Sequence, residues 1–244
     1  MVQSEAGGSA LLSCDVFDTL LHRDRRAQTS RFEVVAKRAG RRLREELGVV
    51  VETRAILQAR LSVHTLAYRV LDIVNPRGEV RFADLVDGVA AILGLHAHGA
   101  TIIAEAEIAV EHEQLVPNRR LLTWLSAEAQ AGSRVIAISD TWHSARTISG
   151  LLDALAPGHP VAAIYTSADW DATKRSGSLF QTVLDVEGIA PDRVLHIGDD
   201  PVADLIMARG AGLRCRQVER PAYLRLGRKV DALRFRLRHP AVLH

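Results

Sequence analysis

Four short runs in this chain are apolar throughout instead of alternating with polar residues: ALLSCD (10–15), RVIAISD (134–140), AAIYTSA (162–168) and RVLHIGD (193–199). A strand buried on both faces reads this way, and such strands belong to parallel sheets with helices on either side. A weaker run, LRCRQVE (213–219), fits an edge strand. Helical patterns separate the runs after residue 118. NRRLLTWLSAEAQAG places Leu121, Leu122 and Leu125 on one face and ends at Gly132, a helix stop. SARTISGLLDAL and GSLFQTVLDVEG follow the same spacing. Strand and helix in alternation predict an α/β fold with a doubly wound parallel sheet.

Residues 24–117 break that alternation. RFEVVAKRAGRRLREELG, ETRAILQARLSVHTLAYRVL, RFADLVDGVAAILG and TIIAEAEIAVEHEQL all have helical spacing, with no strand run among them. The expectation is an α/β core of 1–23 and 118–220, interrupted after its first strand by an inserted α-helical cap of 24–117, with Pro117-Asn118 marking the return. Residues 221–244 read as a basic C-terminal helix. Arg225, Arg228, Lys229, Arg234, Arg236 and Arg238 accompany Val230, Leu233 and Leu237 at helical spacing. Two readings weigh on this tail: a last helix packed on the core with solvated arginines, favoured here, or a basic helix meeting an anionic surface or a partner.

Composition narrows the class. The 244 residues are 48% apolar and 25% charged, with a formal charge of +2, too slight a bias to imply nucleic acid as a partner. No apolar stretch approaches the roughly 20 residues that span a bilayer, so no membrane insertion is expected. Residues 9–14 are too short for a secretory signal core and lack a basic flank. With only Cys14 and Cys215, a disulfide framework is not expected and a cytoplasmic location fits. Cys14 reads as a small strand residue.

In an open parallel sheet, ligands bind beyond the carboxyl ends of the strands, where strand order switches. Here those ends carry Asp15, Ser139, Asp140, Asp199 and Asp200, with Asp204 one turn further on. Lys174 and Arg175 follow the third run. Clustered carboxylates repel unless a cation joins them, and Mg²⁺ suits carboxylate, water and phosphate oxygens. Lys174 could balance charge on a bound phosphate.

In order, the stretches CDVFDTL, VIAISD, TKRSGSLF and VLHIGDDPVADLIMARGAG resemble the four motifs of the haloacid dehalogenase-like superfamily, most of whose members are Mg²⁺-dependent phosphatases. EIAVEHEQLVPN resembles the return from a helical cap, of the C1 type, in that superfamily. Its closest similarity is to members whose first motif reads FDVFDTL. The resemblance implies a Rossmann-like core. It also implies an aspartyl-phosphate route, with Asp15 as nucleophile because Thr19 stands four positions later. Asp18 would need a threonine where His22 stands. By the same resemblance, Mg²⁺ would be held by Asp15, the carbonyl of Phe17 and Asp199, with Asp200 and Asp204 completing or orienting that shell. Ser139 and Lys174 would hold the phosphoryl oxygens, and the partner would be a small phosphorylated metabolite such as a sugar phosphate.

The sequence departs from the superfamily at Phe17, where phosphatases carry a second aspartate that protonates the leaving group. General acid–base help is worth roughly 10²–10⁴ in rate. Three outcomes stay open: Asp18, His22 or a cap residue supplies the proton; the leaving group needs little help; or hydrolysis is slow. True dehalogenases carry an aromatic at this position and need no metal, but their fourth motif lacks the acidic pair seen here as Asp199-Asp200. Phosphoryl chemistry therefore ranks first, a metal-independent 2-haloacid dehalogenase second, and a weakly catalytic binding or regulatory module third. Asp140 and His143 are further substrate or acid–base candidates. Trp142 and His143 fit the border of the pocket, although a helix-start histidine near the surface is the expected state of His143. Glu111-His112-Glu113 reads as a solvated helix face, and His96 and His98 lack metal-ligand spacing. The sequence leaves the oligomeric state open.

Overall fold

The computed structural model describes residues 10–240; the expected first nine residues of the core and last four of the tail lie outside them. The described chain forms two compact units. One comprises 10–23, Asn75–Arg81 and Val116–Arg220, the other Asp24–Val74, Phe82–Leu115 and 221–240.

In the first unit the five apolar runs become strands: Leu11–Cys14 (β1), Arg134–Ser139 (β4), Ala163–Thr166 (β5), Val194–Gly198 (β6) and Arg214–Gln217 (β7). All pair in parallel, in the order β5-β4-β1-β6-β7. Leu11 lies opposite both Arg134 and Val194, and Cys14 opposite both Ala137 and Ile197. β1 is thus central and buried on both faces, as its lack of alternation requires. From β1 the sheet is built outwards through β4 and β5 on one side and β6 and β7 on the other, so its switch point lies between the ends of β1 and β6. Two short strands that the sequence pattern does not reveal, Leu21–Arg23 (β2) and Leu115–Pro117 (β3), form a separate pair.

Helices Arg119–Gln130 (α5), Ala145–Leu155 (α6) and Ser178–Glu187 (α8) lie between the strands in sequence, with the single turn Ser167–Trp170 (α7) after β5. Asn118 caps α5 by accepting the Leu121 N–H, and Ser144 caps α6 by accepting from Thr147. Leu179, Phe180 and Val183 of α8 pack with Leu11, Ile136 and Ile138 of the sheet in one buried cluster. Transfer of such side chains from water contributes roughly 1.5–3 kcal/mol each.

The second unit holds Gln28–Leu47 (α1), Thr53–Val74 (α2), Phe82–Ile92 (α3), Ala97–Gln114 (α4) and, after a short turn Ala208–Gly210 (α9) in the first unit, Ala222–Arg238 (α10). Phe32, Val35, Ala36, Ala39 and Leu43 form the buried stripe of α1. At its centre, Arg60 makes two hydrogen bonds to Glu107, at 2.7 and 2.9 Å, and stacks over Phe32 at 4.1 Å. His64 packs edge-on against Phe32 and Tyr68.

Two features differ from expectation. Asn75–Arg81, inside the stretch expected to be wholly helical cap, lies with the sheet unit. There Asn75 donates to Asp171 at 2.8 Å, the Glu79 N–H donates to the same carboxylate at 3.2 Å, and Ser167 donates to Glu79 at 2.9 Å. Gly78 makes this possible: a Cβ there would lie 2.3 Å from both Asn75 Nδ2 and Asp171 Oδ1. The basic C-terminal helix, expected to pack on the core, instead groups with the helical unit through Leu224 and Phe235, while Val230, Leu233 and Leu237 face outward.

Candidate active site

A turn after β1 places the first motif. The Asp15 N–H donates to Ile197 of β6 at 2.8 Å, which fixes Asp15 at the tip of the central strand. The N–H groups of Leu20 and Leu21 return to the carbonyl of Val16. Asp18 takes a left-handed conformation, φ 66°, which Asp tolerates better than most residues. Its carboxylate accepts the Arg23 N–H at 3.1 Å. Asn118 closes the turn from outside, donating its amide to the carbonyl of Thr19.

The strand tips converge as the topology requires. Asp15, Asp199 and Asp204 are buried, and each offers a carboxylate oxygen within 4.8 Å of the others. Lys174, also buried, donates to Asp15 at 2.6 Å and to Asp204 at 2.5 Å. Asp140 grips the loop that carries this lysine: its carboxylate accepts the N–H groups of Lys174 (2.6 Å) and Arg175 (3.1 Å). Thr19 donates to Asp199 at 3.3 Å.

Asp200 has a different environment. It caps the π-helical segment Pro201–Met207, accepting from Val202 and Ala203, and its other oxygen accepts from Arg175 at 2.7 Å. It lies outside the three-carboxylate cluster. Asp204 turns back from that segment, accepts the Asp200 N–H at 2.9 Å and sits 3.2 Å from His196 Nε2. Since Asp204 only accepts, Nε2 carries the proton, and His196 Nδ1 accepts from Ser13 at 2.8 Å. Gly198 leaves room for this carboxylate: a Cβ there would lie 2.2 Å from Asp204 Cγ.

Electrostatics follow from burial. Burial pushes the Asp15 carboxyl up to about 8, because one ammonium serves two carboxylates and Asp204 and Asp199 add their repulsion. Burial also acts to raise Asp204, but Lys174 and the His196 hydrogen bond outweigh it and hold that carboxyl well below the usual range. Burial raises Asp199 against the pull of Arg220, and raises Asp140 against Lys174. Burial opposes the charge on Lys174, yet Asp15, Asp204 and Asp140 together keep the ammonium protonated.

These side chains line a pocket of about 210 Å³ with Phe17, Asp18, Arg23, Ala203 and Arg220. Arg220, which follows the edge strand, ion-pairs with Asp199 and lies 3.6 Å from Asp18. Arg23 lies over the Phe17 ring at 3.7 Å. Sequence reasoning passed over both arginines, and no local pattern marks them. Six carboxylates and four cations line the pocket, a formal excess of two negative charges that one divalent cation balances. Hard oxygen donors with this charge fit Mg²⁺.

The remaining candidates lie further out. Ser139 ends β4 with its hydroxyl buried and, among the described residues, without a hydrogen-bond partner. His22 is half-buried in β2, away from the pocket lining. His143 is buried rather than near the surface: its Nε2 accepts from Trp142, and its backbone N–H is held by Thr141. Neither Trp142 nor His143 lines the pocket. Glu111 is buried as well, so only His112 and Glu113 of that triplet form a solvated face.

No protein-family model matches the sequence, and no curated protein matches it. Solved structures do match. A HAD family enzyme, bt-2542 of Bacteroides thetaiotaomicron, superposes with a TM-score of 0.58 at 18% identity over 90% of this chain and 98% of that one. The chain has the haloacid dehalogenase-like fold. L-2-haloacid dehalogenase from Xanthobacter autotrophicus gives 0.55 at 15% identity, over 94% and 87% of the two chains. The HAD-hydrolase YfnB from Bacillus subtilis, in a structure bound to magnesium, gives 0.50 at 20% identity over 85% of each. That fold accounts for the sheet order β5-β4-β1-β6-β7.

Proposed function

We propose that this chain is a divalent-cation-dependent phosphohydrolase that takes a small phosphorylated metabolite, with Asp15 as nucleophile. The observation that carries this reading is the buried triangle of Asp15, Asp199 and Asp204 bridged by Lys174. A carboxyl raised to about 8 is a poor nucleophile at neutral pH, and added positive charge beside it would restore the carboxylate.

Mg²⁺, held by Asp15 and Asp199 and by the carbonyl of Phe17, would supply charge neutralisation on the phosphoryl oxygens. Asp204 orients Lys174 and the backbone of Asp200 from behind. Asp15 attacks phosphorus, the bond from phosphorus to the leaving oxygen breaks, and that oxygen takes a proton from solvent. Water then cleaves the aspartyl-phosphate, returning the carboxylate and releasing phosphate. Lys174, which lines the pocket, holds the phosphoryl oxygens through both steps. Phe17 cannot give the leaving proton, so the reading favours substrates whose leaving groups need little protonation. The two unpaired cysteines fit a reducing cytoplasm, and no helix among the described residues is long and apolar enough to cross a membrane.

A second reading is favoured by Phe17 and by the dehalogenase neighbour: metal-independent displacement of halide from a 2-haloacid by Asp15. One experiment separates the two. Phosphate release from a panel of phosphorylated metabolites is measured with Mg²⁺ and with EDTA, beside chloride release from 2-chloropropionate. Mg²⁺-dependent phosphate release supports the first reading. Halide release with EDTA present overturns it in favour of the second, and silence in both assays overturns both.

A further inference from the structure

Helix α10 is attached by the wrong face for a helix that has no further partner. Its polar side is the docked one: the Ala27 N–H donates to Asp231 at 2.8 Å, Arg228 donates to the carbonyl of Asp24 at 2.9 Å, and Arg238 pairs with Glu33 at 3.0 Å. Leu224 and Phe235 are buried on that side. The opposite side carries Tyr223, Leu226, Val230, Leu233 and Leu237, all between 41% and 74% exposed. Their spacing is three, four, three, four. That is the a/d seam of a coiled coil, narrower than the apolar face by which a helix beds into a core or a bilayer surface.

Cations flank the seam on both sides. Lys229 and Arg236 lie along one edge and Arg234 along the other, at the positions that face a partner helix. The only acid of the helix, Asp231, is turned toward Ala27. A second copy of α10, parallel or antiparallel, would set these cations against their own kind, so a homomeric seam is repelled.

We propose that the outer face of α10 is a docking site for an acidic amphipathic helix of a partner protein, packed by heptad contacts and selected by charge. The helix rises about 25 Å over its length, enough for two heptads. Like charges at the flanking positions destabilise such pairings and opposite charges support them. Three such pairs separate an acidic from a basic partner by about tenfold in affinity.

The test uses two synthetic three-heptad helical peptides, identical at their Leu/Ile seam, with Glu or with Lys at the flanking positions. Binding to the full chain is followed by fluorescence anisotropy at low and high salt. The Glu peptide is expected to bind at least about tenfold more tightly than the Lys peptide and to weaken with salt. Leu226→Asn with Leu233→Asn should abolish binding while leaving circular dichroism and hydrolytic activity unchanged. Equal binding of both peptides, or no binding of the Glu peptide, overturns the proposal. So does concentration-dependent self-association lost in the double variant, which would assign the seam to a second copy. Binding to vesicles rich in phosphatidylserine without preference for the Glu peptide would assign it to a membrane surface and likewise overturns the proposal.

Discussion

The ammonium of Lys174 donates to Asp15 Oδ1 at 2.6 Å, inside a pocket where it also serves Asp204. Removing one partner from a buried ion pair leaves uncompensated charge, which typically costs 3–5 kcal/mol. Lys174→Met should lower the urea-unfolding free energy by about that amount, and Mg²⁺ should restore part of the loss. Asp15→Asn is the contrasting case: Lys174 keeps Asp204, so folding should persist while turnover disappears. Urea curves with and without Mg²⁺, read beside single-turnover rates, check both outcomes.

Arg220 and a divalent cation draw on the same carboxylate. The arginine pairs with Asp199 and its side chain is 37% exposed, a setting in which an ion pair contributes about 0.2–1 kcal/mol. Arg220→Gln should therefore tighten Mg²⁺ binding by up to about fivefold in calorimetric titration. Unchanged or weaker Mg²⁺ binding would show that the ion does not share Asp199 with the arginine.

Phe17→Asp places a carboxyl at the pocket wall, where the leaving oxygen would need a proton. Rates toward esters with poor leaving groups should rise by up to about 10²–10⁴, with little change toward acyl phosphates. The substitution also removes the ring beneath Arg23, so a modest loss of stability should accompany the gain. A uniform rate change across leaving groups would refute the missing-acid account of position 17.

The helical unit carries its own pH dependence. Burial, helped by the nearby Arg60, pushes His64 down to about 4, below the usual 6.5 of an unfolded chain. Between those values the unfolded chain binds a proton that the folded chain does not. Stability from this site is therefore complete above about 6.5 and is lost as pH falls toward 4. His64→Gln should flatten the pH profile of the thermal midpoint across that window, and an unchanged slope would contradict the shift.

The sheet was legible because burial on both faces writes itself into consecutive residues: ALLSC, RVIAIS and RVLHIG leave no polar face to expose. The tips of those strands were legible for the same reason, since Asp15, Ser139 and Asp199 follow directly from strand ends. Side-chain partners over long separations were not. Arg220 meets Asp199 from beyond the edge strand, and His196 reads as an ordinary strand residue until Ser13 and Asp204 are seen on its two nitrogens. The superfamily resemblance implies that Asp200 completes or orients the metal shell, but a cap is the other use of an aspartate before Pro201, and the two uses share one sequence. Val230, Leu233 and Leu237 have the helical spacing of a face that ordinarily points inward, but Leu224, Phe235 and the hydrogen bonds of Asp231 and Arg228 hold the helix by its other side.

The hold of Glu79 and Asn75 on Ser167 and Asp171, in the segment after β5, sets where this chain can be recombined. A chimera that exchanges everything from 24 to 117 would carry away the acceptor of Ser167 and the donor to Asp171, and would leave the strand-end loops of the recipient short of partners. Junctions cut instead at 24, 74, 82 and 115 would keep the seven-residue strap with its own sheet, so specificity transplants in this chain call for two exchanged segments rather than one.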